Sequence, residues 1–140
     1  MATPREGFIE LHDATVRALS IRSGGACEFA LEGVSRYRHI AGARFLREVY
    51  QATLSLSGCD RIEVQGLWDE SDNYLMEAAI AREGVELSVW PDIAEEIAIR
   101  GVVLSLFSGA TIRIRCTGGV LRVEGEAIDS GEWLSEQTTE

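Results

Sequence analysis

VVLSLF (102–107), TIRIRC (111–116) and VLRVEG (120–125) are three apolar segments in succession, separated by short turn-forming stretches. In the second segment, isoleucine and cysteine alternate with threonine and arginine, the period-2 pattern of a strand with one buried face. Glycines at both central positions of Thr117–Val120 predict a two-residue hairpin loop, which sets Cys116 opposite Leu121. A three-residue loop at 108–110 joins the first two segments. Both turns leave the apolar side chains on one face, so the stretch predicts an antiparallel meander.

The rest of the chain extends this pattern to the whole fold. The length of 140 residues suffices for one buried core, and 46% of the residues are apolar. About nine short strands can be joined by hairpins, with at most one or two short helical turns. We therefore expect an all-β protein, an antiparallel β-sandwich or a partly open barrel. Residues 1–140 form a single domain, with 129–140 as a polar tail.

Two further hairpins carry clear turn chemistry. Thr15–Ile21 and Ala26–Leu31 flank a Ser-Gly-Gly turn. Tyr74–Arg82 and Val85–Trp90 close at Glu83-Gly84, which as a two-residue loop pairs apolar residues on one face.

Three segments are harder to assign. Residues 40–48 fit helical spacing and strand alternation about equally, and we expect an irregular connection or short helical turn before a strand at 49–57. Residues 93–97 follow a proline and suggest one helical turn. In a strand expected at 97–107, the inward apolar residues have odd numbers before Gly101 and even numbers after it. This change predicts a β-bulge at Gly101.

Charge is concentrated in the middle of the chain. The net charge is −10, and residues 60–100 hold eleven acids against three arginines, which is −8. Such a surface repels nucleic-acid phosphates and attracts a basic protein partner; the alternative, which the composition favours, is a solvated face that maintains solubility. No apolar run approaches the roughly 20 residues that span a bilayer, and residues 1–20 show no signal peptide, so we expect a cytoplasmic protein without membrane contact. All basic residues are arginine, a composition typical of GC-rich bacterial genomes.

Acidic residues of this region define a candidate binding face around one aromatic side chain. Strand periodicity puts Glu77 and Glu86 on the same side of their hairpin as Trp90, a combination suited to a basic surface with an apolar anchor. The alternative is that another part of the chain covers the tryptophan. The acids Asp69, Glu70 and Asp72 of the preceding loop complete the face.

A second candidate is the polar site Glu10, His12 and Asp13 at the start of the chain. Glu10 and His12 share a face of an extended segment, and neighbouring Asp13 points the other way, so they make a weak metal site. Hydrogen bonding to the backbone is the simpler role for His12 or Asp13. The chain has no nucleotide-binding, hydrolase or metalloprotease motif, so no catalytic residue, cofactor or metal is assigned.

Local basic character and thiols add two expectations. Arg36, Arg38, Arg44 and Arg47 surround His39 and could hold an anion, but pairing with the protein's own acidic middle is favoured. The three cysteines form no CxxC, and we expect reduced thiols, with Cys27 and Cys116 buried.

The opening Leu11-His12-Asp13-Ala14 resembles that of a group of small uncharacterised bacterial β-proteins, which begin with a Leu-His-Asp-Ser/Ala segment leading into a β-hairpin. Glu32-Gly33-Val34 and Arg47-Glu48-Val49 are similar to that group too, so the resemblance covers about the first third of the chain. Some proteins with this opening are assigned to immunity families that bind and neutralise toxins. The resemblance implies a binding role and no catalytic residues.

Three hypotheses for function follow. The first is a non-catalytic protein-binding module, immunity-protein-like, with a basic partner. The second is a small-ligand-binding barrel with a cavity lined by Phe29, Leu54, Ile80 and Leu104. The third is an enzyme that uses His12 with Asp13 or a glutamate. Whether the chain forms a homo-oligomer stays open.

Overall fold

The computed structural model describes residues 7–66 and 73–134, which form twelve strands in two antiparallel sheets. The strands are β1 (Phe8–Glu10), β2 (Thr15–Arg22), β3 (Ala26–Ala41), β4 (Arg44–Ser57), β5 (Arg61–Gln65), β6 (Leu75–Arg82), β7 (Val85–Leu87), β8 (Trp90–Pro91), β9 (Ile97–Ala98), β10 (Gly101–Leu106), β11 (Thr111–Arg115) and β12 (Gly118–Leu134). Within the described residues there is no helix, and hence none long and apolar enough to cross a membrane. The predicted all-β fold is confirmed as two sheets that do not close into a barrel.

The large sheet has seven strands in the order β8-β1-β3-β4-β12-β9, with β2 also paired to β3. Its centre consists of β3, β4 and β12, which have 16, 14 and 17 residues and are longer than the short strands predicted. The hairpin of β2 and β3 is confirmed, with Leu19 opposite Phe29. Gly24 and Gly25 at its turn both have positive φ, which glycine adopts without strain.

The small sheet has five strands in the order β5-β11-β10-β6-β7. The hairpin of β6 and β7 closes as predicted, with Ile80 opposite Leu87. Glu83 and Gly84 have φ of 33° and 76°, the two positive values that a type I′ loop requires.

The core lies between the inner faces of the two sheets. Its fully buried side chains come from both sheets and include Phe29, Leu54, Leu56, Leu121, Ile80, Leu104 and Ile112, together with Trp90. The inner faces of the two sheets therefore form one continuous apolar layer.

A second, smaller cluster lies on the side of the large sheet that faces away from this core. Phe8 stacks on Tyr37 with ring centroids 4.7 Å apart, and Trp133 packs edge-on against Tyr37 and Phe45. Trp133 belongs to β12, whose residues 129–134 pair with β4. The prediction of a polar tail is therefore wrong for 129–134, and residues 135–140 lie outside the described part.

The predicted Gly118-Gly119 hairpin is wrong. The strand before it, β11, belongs to the small sheet, whereas β12 pairs with β4 and β9 in the large sheet. Both glycines are extended, without positive φ. A Cβ on Gly119 would lie 3.0 Å from the ring of Trp90 and from a methyl group of Leu56. Glycine is needed here for close packing and not for a turn, and Cys116 does not pair with Leu121.

The hairpin of β10 and β11 forms, but with a shifted register. Leu104 pairs with Ile112, and the Leu106 amide donates a hydrogen bond to the Ala110 carbonyl at 2.9 Å. The three-residue loop is therefore 107–109 and not 108–110. The same side chains still face the core because the register moves by two residues.

Gly101 marks a change of sheet and not a bulge. Ile97 and Ile99 are buried together with Val102, as predicted. However, β9 pairs with β12 in the large sheet, whereas β10 lies in the small sheet. The inward positions change from odd-numbered to even-numbered residues because the chain passes from one sheet to the other between β9 and β10.

Two expected irregular segments differ from the structure. Residues 40–48 belong almost entirely to β3 and β4, which meet in a tight turn at Gly42 with φ of 54°. Residues 93–96 are irregular, with bends at Ala94 and Glu95, and no helical turn is found at 93–97.

Candidate functional site

The surface of the small sheet that faces away from the core brings together the charged residues of four strands. We call it the outer face, and it comprises Arg61 and Glu63 of β5, Arg113 and Arg115 of β11, Gly101, Val103 and Ser105 of β10, Glu77, Ala79 and Ala81 of β6, and Glu86 of β7. A groove of about 420 Å³ runs across it.

Small residues form the floor of the groove. Gly101 pairs with Ala81, and Val103 pairs with Ala79, so two adjacent strands present almost no side-chain bulk to solvent. The longer charged side chains on either side therefore stand above the floor as walls.

Arginines form one wall. Arg113 lies opposite Glu63 on the neighbouring strand, and Arg115 lies opposite Arg61. The Arg115 guanidinium donates a hydrogen bond to Asp60 at 2.8 Å, which lowers the pKa of that carboxyl group. In the described part of the chain, Arg113 has no ion-pair partner within 4.0 Å.

Two glutamates, which we call the glutamate wall, lie on the other side: Glu86 lines the groove, and Glu77 lies on the same face beyond the groove lining. Register places Glu77 beside Ser105 and Glu86 beside Ala81, so the two predicted carboxylates share the outer face with Ala79 and Ala81. Both are exposed, and neither has an ion-pair partner among residues 7–66 and 73–134.

Trp90 does not belong to this face. Strand β7 of the small sheet ends at Leu87. The chain then crosses to the large sheet, where Trp90 pairs with Ile9. Its side chain is 0% exposed in the core between the sheets. The prediction of an aromatic anchor is therefore wrong, and the alternative of a covered tryptophan is right. Asp69, Glu70 and Asp72 lie outside the described residues.

The arginine wall was missed because of strand order. Arg113 and Arg115 alternate with isoleucine, so the sequence predicted that they point away from the core. Residues 120–125 were predicted on one side of β11, but β5 lies there, and β10 lies on the other side as predicted. Those neighbours bring the arginines alongside Glu63 and the alanine floor.

The structure separates Glu10 from His12 and Asp13, and the expectation that Asp13 points away from His12 is wrong. His12 Nδ1 lies 3.3 Å from Asp13 Oδ2 at an exposed turn, where Asp13 has φ of 70°. Glu10 instead accepts a hydrogen bond from the Tyr37 hydroxyl at 3.3 Å. Among the described residues, no group of three or more histidine, cysteine or acidic side chains is arranged to hold a metal ion.

The arginine-rich segment around His39 pairs with acids of the same chain. Arg36 Nε donates to Asp92 at 2.9 Å, and this part-buried pair joins β3 to the acidic middle, as predicted. Arg38 pairs with Glu48, and Arg44 pairs with Glu132, so two of the partners lie outside residues 60–100.

The four residues expected to line a barrel cavity belong to the packed core. Phe29, Leu54, Ile80 and Leu104 are each at most 1% exposed and lie in one contact cluster. That cavity hypothesis is wrong, because facing side chains from the two sheets fill the space.

The three thiols are free, and Cys27 and Cys116 are buried as predicted. Burial raises the pKa of Cys116 to about 11. Burial, with the Cys27 thiol beside it, raises the pKa of Cys59 to about 12. Both groups are therefore neutral thiols near pH 7, the state least reactive as a nucleophile.

Comparison with protein-family models, with curated proteins and with solved structures gives no match for this chain. The resemblance of its opening to toxin-immunity proteins therefore stays a prediction.

Proposed function

We propose that the chain is a non-catalytic protein-binding module whose partner docks on the outer face. The observation that carries this proposal is a floor of small residues between an arginine wall and a glutamate wall, with Arg113 and Glu86 unpaired within the described residues. Exposed charges held on a rigid sheet without intramolecular partners are suited to fixing the orientation of a docked protein.

The partner would carry both signs of charge. The outer face holds three arginines (Arg61, Arg113, Arg115) and three glutamates (Glu63, Glu77, Glu86), so their formal charges cancel. A basic segment of the partner fits over the glutamate wall. An acidic group of the partner fits at Arg113, because Arg61 is already paired with Glu63 and Arg115 with Asp60. Neutralising a toxin is one role that such a module could serve, and this remains part of the proposal because it derives from the resemblance of the opening.

Capture of partners with charge-reversed variants tests the docking face. The double variant Glu77→Arg/Glu86→Arg and the single variant Arg113→Glu should fold normally, because exposed charges contribute little to stability. Proteins enriched from the native host by the wild-type chain and identified by mass spectrometry should be lost with both variants. Their association should also weaken with rising salt.

Matched reversals on the large sheet separate a site effect from a general charge effect. Glu124→Arg/Glu126→Arg and Arg122→Glu repeat the same charge changes at exposed positions of β12. They should leave capture unchanged. If all four variants retain the enriched proteins, or if the β12 controls lose them equally, the outer face is not the docking site.

A further inference from the structure

A second cleft lies at the seam where the small sheet meets the β9 edge of the large sheet. Its volume is about 430 Å³, near the lower end of the range of about 300–1,000 Å³ for small-molecule sites. We call it the seam cleft. It shares Arg100 and Arg115 with the groove of the outer face, whereas Arg113 and Glu86 line only that groove.

The floor of the seam cleft is apolar. It is formed by Ala98 together with the outer edges of Ile99 and Cys116, both of which are only 4% exposed. Because burial raises the pKa of Cys116 to about 11, the thiol carries no charge near pH 7. The floor therefore suits an aliphatic or aromatic group.

The rim of the cleft holds one unmatched charge of each sign. Arg115 and Asp60 are paired with each other at 2.8 Å. Arg100 and Glu83, which also line the cleft, have no ion-pair partner within 4.0 Å in the part of the chain that the structure describes. The Arg100 amide donates to the Ala81 carbonyl at 2.7 Å, which places this arginine beside the hairpin end that carries Glu83.

We propose that the seam cleft binds a small zwitterion with an apolar body, of the class of free apolar α-amino acids. The carboxylate of the ligand pairs with Arg100, its ammonium group pairs with Glu83, and its side chain lies on the floor formed by Ala98, Ile99 and Cys116. A ligand with only a carboxylate would meet the repulsion of Glu83 and of a chain with a net charge of −10. A ligand with only an ammonium group would meet the repulsion of Arg100.

Titration with three matched ligands tests the charge requirement. Three ligands share the same branched body. L-leucine carries both charges, 4-methylpentanoate carries only the negative charge, and 3-methylbutylamine carries only the positive charge. Followed by two-dimensional amide NMR, leucine should bind saturably and shift resonances of residues around Arg100 and Glu83. Each single-charge analogue should bind at least about tenfold more weakly, since it lacks one charge-assisted contact.

Variants at the rim assign each charge to its residue. Arg100→Gln and Glu83→Gln should each weaken leucine binding by about tenfold or more. Glu83→Gln should at the same time strengthen binding of 4-methylpentanoate, because the repulsion is removed. The control Arg82→Gln alters an exposed arginine next to Glu83 that does not line the cleft, and it should leave binding unchanged.

Three results would overturn the inference: no saturable shift with leucine or phenylalanine, equal binding of a single-charge analogue, or unchanged leucine binding in both rim variants. Ala98→Phe, which fills the cleft from an exposed position, should abolish the shifts. Arg113→Glu disrupts the proposed docking face but should retain leucine binding, so the two proposals can fail separately.

Discussion

Replacement of Gly101 by alanine tests how closely two strands of the small sheet approach each other. Gly101 pairs with Arg115 on one side and Ala81 on the other, and its φ is not in the left-handed region. An added Cβ would lie 2.7 Å from the Ile114 carbonyl oxygen. That oxygen belongs to the backbone of a central strand, so a side-chain rotation cannot relieve the contact.

The expected cost follows from overpacking. Forcing an extra carbon into a packed site costs about 1–3 kcal/mol. Where alanine fits without strain, replacing glycine instead stabilises the folded protein by about 0.4–1 kcal/mol, because it reduces the conformational entropy of the unfolded chain. Gly131 in β12 provides that control, because a Cβ added there would have no atom within 4 Å and its φ is not positive. We therefore expect the two variants to differ by about 1.4–4 kcal/mol in the free energy of unfolding.

Urea unfolding followed by tryptophan fluorescence, to which buried Trp90 contributes, measures this difference. Gly101→Ala should unfold at lower urea than the wild-type chain, and its melting temperature should fall by about 3 °C per kcal/mol for a chain of this size. Gly131→Ala should match or exceed the wild type. If Gly101→Ala is as stable as Gly131→Ala, the strands are not in the close contact described, and the explanation given for this glycine is wrong.

Two further predictions concern electrostatics. Arg36→Gln should lower the free energy of unfolding by about 1–2 kcal/mol, because it removes the partner of the part-buried Asp92 carboxylate. Arg44→Gln should cost less than about 0.5 kcal/mol, because the pair of Arg44 with Glu132 is half-exposed. Thermal unfolding of both variants compares these costs. The unfolded chain releases the Cys116 proton near pH 8.5, whereas the folded chain holds it to about pH 11. The stability that this thiol contributes below pH 8.5 should therefore fall as the pH rises towards 11, and urea midpoints should decline less steeply in Cys116→Ala.

Local turn chemistry accounts for the parts of the fold that the sequence predicted well. The Gly24-Gly25 and Glu83-Gly84 turns join strands that are adjacent both in the chain and in a sheet, and period-2 alternation then identifies the buried face of each strand. The all-β class, the hairpins and most of the buried residues follow from these two kinds of information.

Crossings between the sheets could not be predicted in the same way. The chain changes sheet four times: between β4 and β5, between β7 and β8, between β9 and β10, and between β11 and β12. Both sheets bury their inner faces in one core, so a strand that leaves one sheet for the other still shows apolar residues at inward positions. Gly118 and Gly119 illustrate the ambiguity, because a pair of glycines fits a tight turn and a close packing contact equally well.

The chemistry of the candidate site depends on those crossings. Summed along the sequence, residues 60–100 carry a charge of −8, which favoured a basic partner. In the small sheet, β11 lies next to β5 on one side and is separated by β10 from β6 and β7 on the other, so Arg113 and Arg115 stand between strands β5, β6 and β7 of that acidic region. The outer face is consequently balanced in charge, and its two signs are separated laterally across a floor of small residues. In a sheet assembled from distant segments, the order of the strands decides the charge of a surface, and here it changes the expected partner from a basic one to one that carries both signs.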